Sequence, residues 1–332
     1  PYAARISLGD ATADSVNAQD SAAQIASGDI TYIRNAVKAT VDAYDGSVHV
    51  YAWDESDPVL KSWSKAFPGV VEPRSAMPEG VVAHVRYPED MFKVQRDVLA
   101  KYHVSDAQAF YSGQDFWIVP DDPTKPTLKQ AQPPYYLNLQ MPDQSAPSFQ
   151  LTTAYAPRKR QTLAAFMAVN SDPGDDYGTI RVLQLPRNTT IPGPTQVQNN
   201  FESDPDVSAK LSLLRSGGSD VELGNLLSLP VGGGLLYFEP VFVKATGTDG
   251  YPLLRKVLVS FGSKVAFEDD LATALAQVFN TQDVPSTGGG TSTGGGTTSG
   301  TAVERLAAAI TDANQAYQDG QAALAKGDFT AY

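Results

Sequence analysis

The chain has no cysteine, which excludes a disulfide framework, a thiolate nucleophile and a thiolate metal ligand. That absence is compatible with an envelope protein that avoids oxidation chemistry. Histidine is almost as scarce. His49, His84 and His103 stand on separate segments with neither HxH nor HxxxH spacing, so a shared metal centre would need the fold to gather them, and surface or packed histidines are the simpler reading. No segment approaches the roughly 18 to 20 uninterrupted apolar residues of a membrane-spanning helix. Positive charge is thin: 25 Lys and Arg face 37 Asp and Glu, a net charge of -12 with a pI near 4.7. The only basic run is Arg158-Lys159-Arg160. Phosphate backbones and anionic lipid surfaces need clustered cations, so nucleic acid is not an expected partner. There is no phosphate loop and no GxSxG elbow between a predicted strand and helix. A Ser-His-Asp triad could only assemble from distant positions. No cofactor is expected. The chain begins at Pro1 without an initiator methionine or signal sequence, which predicts a portion of a longer protein with any anchor outside it.

What is present is a large apolar complement. With 332 residues and 42% hydrophobic content, the chain can bury a sizeable core as one large domain or two ordinary ones. The densest apolar run is GNLLSLPVGGGLLYFEPVFVKA, Gly224 to Ala245. It reads as two core strands turned at Gly232, Gly233 and Gly234, because consecutive glycines supply positive φ without a Cβ penalty. Apolar side chains on both parities predict a central strand covered on both faces. Pro240 cannot donate to a ladder, so an interruption is predicted near Glu239-Pro240.

Elsewhere the signals are local. Pro1 to Gly28 reads as a loosely held arm with a short strand near Ala4 to Leu8. Val37 to Ala43 and Val48 to Ala52 alternate around Asp45-Gly46, a hairpin signature. Asp57-Pro58 predicts a helix through Trp63 to Phe67, stopped by Pro68-Gly69. Tyr87-Pro88 predicts another, with Glu89 and Asp90 in its dipole-favoured first turn and an apolar stripe of Met91, Phe92, Leu99 and Tyr102. A short helix runs from Ser105 or Asp106 to Gly113, followed by a strand over Phe116 to Val119 and a surface loop from Pro120 to Pro134. Tyr135 to Gln140 and Phe149 to Tyr155 read as paired strands. Leu163 to Val169 fits strand or helix. Thr179 to Leu185 reads as a strand after a turn over Asp172 to Gly178. Helices follow at Thr195 to Phe201 and Asp204 to Arg215, then a strand at Lys256 to Phe261 and a helix at Asp269 to Phe279. Pro285 to Gly300 cannot bury apolar surface to offset its ordering entropy and reads as a flexible linker. The Ala-rich stretch beyond it, Ala302 to Lys326, reads as a helical tail with a weak seam.

Three blocks, YIRNAVKATVDAYDGSVHVY from Tyr32, RYPEDMF from Arg86 and the run from Gly224, occur in an order and spacing that resemble uncharacterised protein family 0182. The resemblance covers roughly Pro1 to Asn280. These are multi-pass bacterial membrane proteins common in actinobacteria. The resemblance implies membrane helices before Pro1 and an extracytoplasmic position for this portion. It implies no activity and no catalytic residues.

Candidate chemistry is confined to carboxylates. Asp54-Glu55-Asp57, Asp121-Asp122, Asp175-Asp176 and Glu268-Asp269-Asp270 lack the EF-hand pattern. The best weak metal candidate is Asp172, Asp175 and Asp176, whose bland alternative is a solvated turn. Glu239 lies in the most apolar stretch, where an unpartnered charge would cost several kcal/mol. Either an arginine such as Arg86, Arg34 or Arg181 pairs with it, or it works with a second acid about 5 to 10 Å away in a hydrolase cleft. The ion pair is favoured. Arg86, Glu89 and Asp90 form either a capped helix start or a ligand site.

These observations predict an α+β fold with a mixed, mostly antiparallel sheet and peripheral helices over residues 1–284, as one domain or two subdomains. A flexible Gly-rich linker (285–300) and a helical tail (301–332) follow. The leading function is a non-enzymatic binding or assembly module of the cell envelope, with its own membrane-spanning region, other envelope proteins or copies of itself as partners. The alternative is an envelope hydrolase using paired carboxylates near Glu239.

Overall fold

Gly232 and Gly233 have φ of 58° and 81° in the computed structural model, the left-handed pair a two-residue hairpin turn requires. They join Leu227–Val231 to Gly234–Ala245. The structure describes residues 6–7, 29–30, 32–186, 190–216, 218–246, 250–279 and 315. The chain divides into two units, Pro1–Gln198 and Asn199–Tyr332. Both combine helices with antiparallel pairing, so the α+β reading holds. The linker and nearly all of the tail lie outside the described residues.

In the first unit, β1 (Ile6–Ser7) pairs with β2 (Asp29–Ile30). A three-stranded sheet contains β3 (Val37–Val41), β4 (Val48–Ala52) and β5 (Val71–Glu72), with β3 antiparallel and β5 parallel to the central β4. Between β4 and β5, α1 (Pro58–Ala66) is capped by Asp57, whose carboxylate accepts from Leu60 N at 2.7 Å. The short α2 (Glu79–Val82) precedes α3 (Glu89–Tyr102) and α4 (Ala107–Ser112). The second sheet runs β10–β9–β8–β6, with β7 also paired to β8. Its strands are β6 (Trp117–Ile118), β7 (Tyr135–Leu139), β8 (Ser148–Pro157), β9 (Ala165–Asn170) and β10 (Ile180–Gln184). Every residue of β9 is buried, which settles the ambiguous Leu163 to Val169 as a strand covered on both faces. α3 packs Phe92 and Ala100 against Leu151, Tyr155, Met167 and Val169 of β8 and β9.

One orientation that no local pattern fixed emerges here, and one expectation fails. The hairpin of β3 and β4 forms, but its apolar parity faces outward. Val41 and Val48, opposite each other in register, are 67% and 59% exposed, while Lys38 and Thr40 take the more covered side. On α3, Tyr102 leaves the predicted stripe and is 53% exposed, its ring 5.4 Å from Phe110. Lys93 and Arg96 are buried instead: Arg96 donates to Gln132 O and to Thr153 of β8, and Lys93 is held by Glu89 and Asp90 of its own helix.

α5 (Pro194–Ser203) carries the chain from the first unit into the second, which continues with α6 (Pro205–Leu214), capped by Asp204. The second unit's sheet contains β11 (Ser219–Leu223), β12 (Leu227–Val231), β13 (Gly234–Ala245), β14 (Leu253–Phe261) and β15 (Lys264–Glu268). β13 is its centre. One edge pairs with β14, and the other is shared between β12, opposite Gly234 to Phe238, and β11, opposite Val241 to Ala245. Glu239 and Pro240 fall in the gap between those partners, so the proline's missing donor removes no ladder bond on that edge. The β14 pairing shifts register between Val241 and Phe242, one residue beyond the predicted interruption. Gly224 tucks under this site: a Cβ there would meet Pro240 Cγ at 2.6 Å. One face of the sheet carries α7 (Leu271–Phe279), whose Ala274, Leu275 and Val278 pack on Leu236, Val257 and Val259. On β13, the other parity, Leu235, Tyr237, Glu239 and Val241, is buried as well.

Candidate functional site

Among the described residues of the first unit, a polar and aromatic junction forms around the main chain of Arg86-Tyr87. Lys38 leaves β3 on its covered side, and its Nζ donates to Arg86 O at 2.8 Å and to Tyr177 Oη at 2.9 Å. Tyr177 also donates to Arg86 O at 3.0 Å and accepts from Asn35 Nδ2 at 2.8 Å. The Lys38 ammonium lies 5.5 Å from the ring centroids of both Trp53 and Tyr177. Trp53 meets Tyr177 edge-on at 5.0 Å. Arg74 places its guanidinium 4.0 Å above the Trp53 ring and lines an open cleft of about 530 Å³ with Glu55, Ser75, Met77, Glu79 and Val82.

The next carbonyl in the chain is held similarly, since Tyr87 O accepts from the Tyr136 hydroxyl. Tyr87 Oη donates to Gln95 on α3 at 2.9 Å. The close approach of the β9–β10 turn to this segment uses Gly178, at φ 80°, where a Cβ would lie 3.3 Å from the Tyr87 ring.

Burial dominates the electrostatics. It lowers the Lys38 ammonium from its usual 10.5 to about 8. Burial, with Glu89 adding to it, pushes the Tyr136 phenol up to about 12. Burial likewise raises Tyr177, against the opposing hydrogen bond from Asn35.

The site residues singled out in the sequence have distinct fates. Glu89 and Asp90 converge on Lys93 Nζ at 2.7 and 3.5 Å, in the first turn of α3. The Arg86 guanidinium turns to Tyr136 and Phe149, 5.5 and 5.6 Å from their ring centroids, and those rings stack on each other. Arg34 pairs with Asp54, and Arg181 bridges Asp143 and Asp176 at 3.2 Å each. Glu239 belongs to β13 of the second unit and is fully withdrawn from solvent. Asp172 accepts from Phe149 N at 2.9 Å, Asp176 serves Arg181, and Asp175 is exposed. The histidines are separate: His49 bonds Glu72, His84 bonds Gly80 O and His103 bonds Leu99 O. Among the described residues, no three His, Asp or Glu side chains are grouped to hold a metal ion.

Sequence reasoning missed Lys38, Trp53, Arg74 and Tyr177 as members of one junction. The available signal was Lys38, the single charge in the VKATV run. Trp53 and Arg74 come from just beyond β4 and β5 of the sheet that carries Lys38, with Trp53 N donating to Ala36 O at 2.8 Å, whereas Tyr177 comes from the turn before β10 of the five-stranded sheet.

A model described as "Uncharacterised protein family (UPF0182)" matches residues 1–214. The UPF0182 protein of Paenarthrobacter aurescens is 49% identical over all of this chain and 36% of its own length. That of Streptomyces coelicolor is 49% identical over the whole chain and 34% of its own length. That of Leifsonia xyli is 53% identical over 87% of this chain and 31% of its own length. The chain thus spans about a third of the length of the curated relatives it matches. No solved structure matches it.

Proposed function

The chain belongs to the uncharacterised protein family UPF0182, found in bacteria and largely in actinobacteria, and on that premise we propose that it is a non-enzymatic binding or assembly module. In this reading it lies on the extracytoplasmic side of the cell membrane as part of a multi-pass membrane protein, and its first partner is that protein's own membrane-spanning region. Other envelope proteins or further copies are secondary partners. The described residues contain no helix long and apolar enough to cross a membrane. The greater length of the relatives leaves room for such helices elsewhere in the polypeptide.

The observation that carries the proposal is the outward apolar face of the β3–β4 hairpin. Val37, Val41 and Val48 are all exposed there, and Ala39 opposite Val50 continues the same face. Exposed apolar side chains grouped on one strand face mark a contact site, and here the group is bounded where Val50 is half-buried and Ala52, opposite Val37, is buried. The charged groups of Arg86, Glu89 and Asp90 are occupied by α3 and the ring pair, which supports a structural role for them. The complete burial of Glu239 likewise supports a structural carboxylate over an acid at a solvent-open hydrolytic cleft.

The test uses the full-length protein in its native membrane. A photoreactive phenylalanine analogue at Val41 or Val48 should cross-link to the membrane-spanning region, another copy or another envelope protein far more than one at Tyr111, which is 95% exposed. Equal yields at these positions would overturn the reading. A cysteine at Tyr111, the only thiol in this portion, should react with an impermeant maleimide in intact cells. Labelling only after lysis would remove the extracytoplasmic placement.

A further inference from the structure

A second exposed apolar feature points to a different contact. Along α1, Val59 and Trp63 lie one turn apart, and Phe67, the C-terminal cap, stacks its ring on Trp63 at 5.3 Å. Val70 follows, its N–H donating to Phe67 O at 3.4 Å. All four are exposed, Trp63 at 59%, whereas Leu60 is the buried side chain that anchors the helix to its own unit. Lys61 and Lys65 occupy the opposite helical side from Trp63, by the 100° step of an α-helix. The helix has no acidic residue, and neither lysine forms an ion pair among the described residues. The carboxylate at its N-terminus, Asp57, is occupied by the cap and by the Tyr32 hydroxyl.

We propose that α1 is a peripheral docking site for a lipid bilayer interface of low net charge, with Trp63 and Phe67 entering the headgroup boundary and Lys61 and Lys65 remaining on the aqueous side. An aromatic stripe opposite a cationic face is the pattern of a helix lying in the plane of the interface, and tryptophan favours that boundary because its ring is apolar and its N–H polar. Charge selects among occupants. Two copies of this chain would bring together net charges of -12 each, which opposes self-association through this stripe, and the same charge opposes a strongly anionic membrane. Zwitterionic headgroups meet neither penalty. The site stands on α1 alone and does not depend on the β3–β4 face or its partner.

The experiment is co-flotation of the 332-residue chain with phosphatidylcholine vesicles, read together with tryptophan emission. Of the three tryptophans, Trp53 is buried and Trp117 half-buried, so a vesicle-induced blue shift should arise from Trp63. Trp63→Phe should keep flotation and lose the shift. Trp63→Ser and Phe67→Ser should each lower the partition coefficient about tenfold, the cost of withholding one large apolar side chain from the interface. Both positions are exposed, so unchanged circular dichroism should confirm that the variants fold. Absence of flotation by the parent chain would overturn the proposal. So would flotation without a Trp63 shift, partitioning unaffected by the serine variants, or sedimentation showing that the stripe is covered in a dimer.

Discussion

Replacing Tyr177 with phenylalanine tests the junction most directly. The change removes one oxygen and keeps the ring that packs edge-on against Trp53 at 5.0 Å and tilted against Tyr87 at 5.8 Å. Three hydrogen bonds disappear, from Asn35 Nδ2, from Lys38 Nζ and to Arg86 O. A neutral bond contributes about 0.5–1.5 kcal/mol net and one to a charged group about 1.5–3, so their sum approaches about 4 kcal/mol. Water reaches this half-buried site and replaces part of the loss, and Lys38 retains Arg86 O, so the net cost should be about 2–3 kcal/mol. That is a large share of a stability of about 5–15 kcal/mol. Urea denaturation followed by tryptophan emission should show it as a lower midpoint with an unchanged slope. Tyr111→Phe, at a fully solvated position, should stay within about 0.5 kcal/mol. A Tyr177→Phe variant as stable as that control would mean the bridging hydroxyl does not hold the two sheets' connections at Arg86, and the account of the junction would be wrong.

Two further perturbations reach other links. Lys38 has a folded pKa below its unfolded value, so between pH of about 8 and 10.5 the unfolded chain holds a proton that the folded chain has lost, and this group's contribution makes stability rise with pH. The gap corresponds to about 3 kcal/mol in full and to about 1–2 after screening at a partly exposed site. The stability of the parent relative to Lys38→Met should therefore increase from pH 8 to pH 10, and a flat difference would refute the depressed value. Glu239→Gln, at a fully buried carboxylate, should destabilise by about 1–3 kcal/mol through the hydrogen-bonding it no longer satisfies; a variant as stable as the parent in urea at neutral pH would argue against a structural Glu239.

Signals that act over a few residues were legible without coordinates. The glycine pair at 232 and 233 specifies a hairpin turn because few other residues tolerate positive φ twice in succession. Asp57-Pro58 and Asp204-Pro205 specify helix starts because cap and first turn are chemically local. Less regular strands escaped: β11 and β15 lack long apolar runs, and their existence depends on the edges that β13 and β14 offer them. The segment Arg86 to Asp90 was recognised as a helix start. Its main-chain role at Arg86 O was invisible, since both donors come from more than forty residues away.

By itself, the sequence determined the α+β class, the central place of Gly224 to Ala245 within the second unit's sheet though not in the chain as a whole, the caps and turns, the exclusion of thiol chemistry and the family. Only the tertiary structure decided which side of the β3–β4 hairpin is covered. Alternation specifies two faces but not which one meets the rest of the unit, and here the packing around Tyr177 and Arg86 draws Lys38 inward and leaves the valines in solvent. The same holds for Pro240 in a central strand, which is tolerated because two shorter strands divide the edge beside it, an arrangement no local pattern encodes.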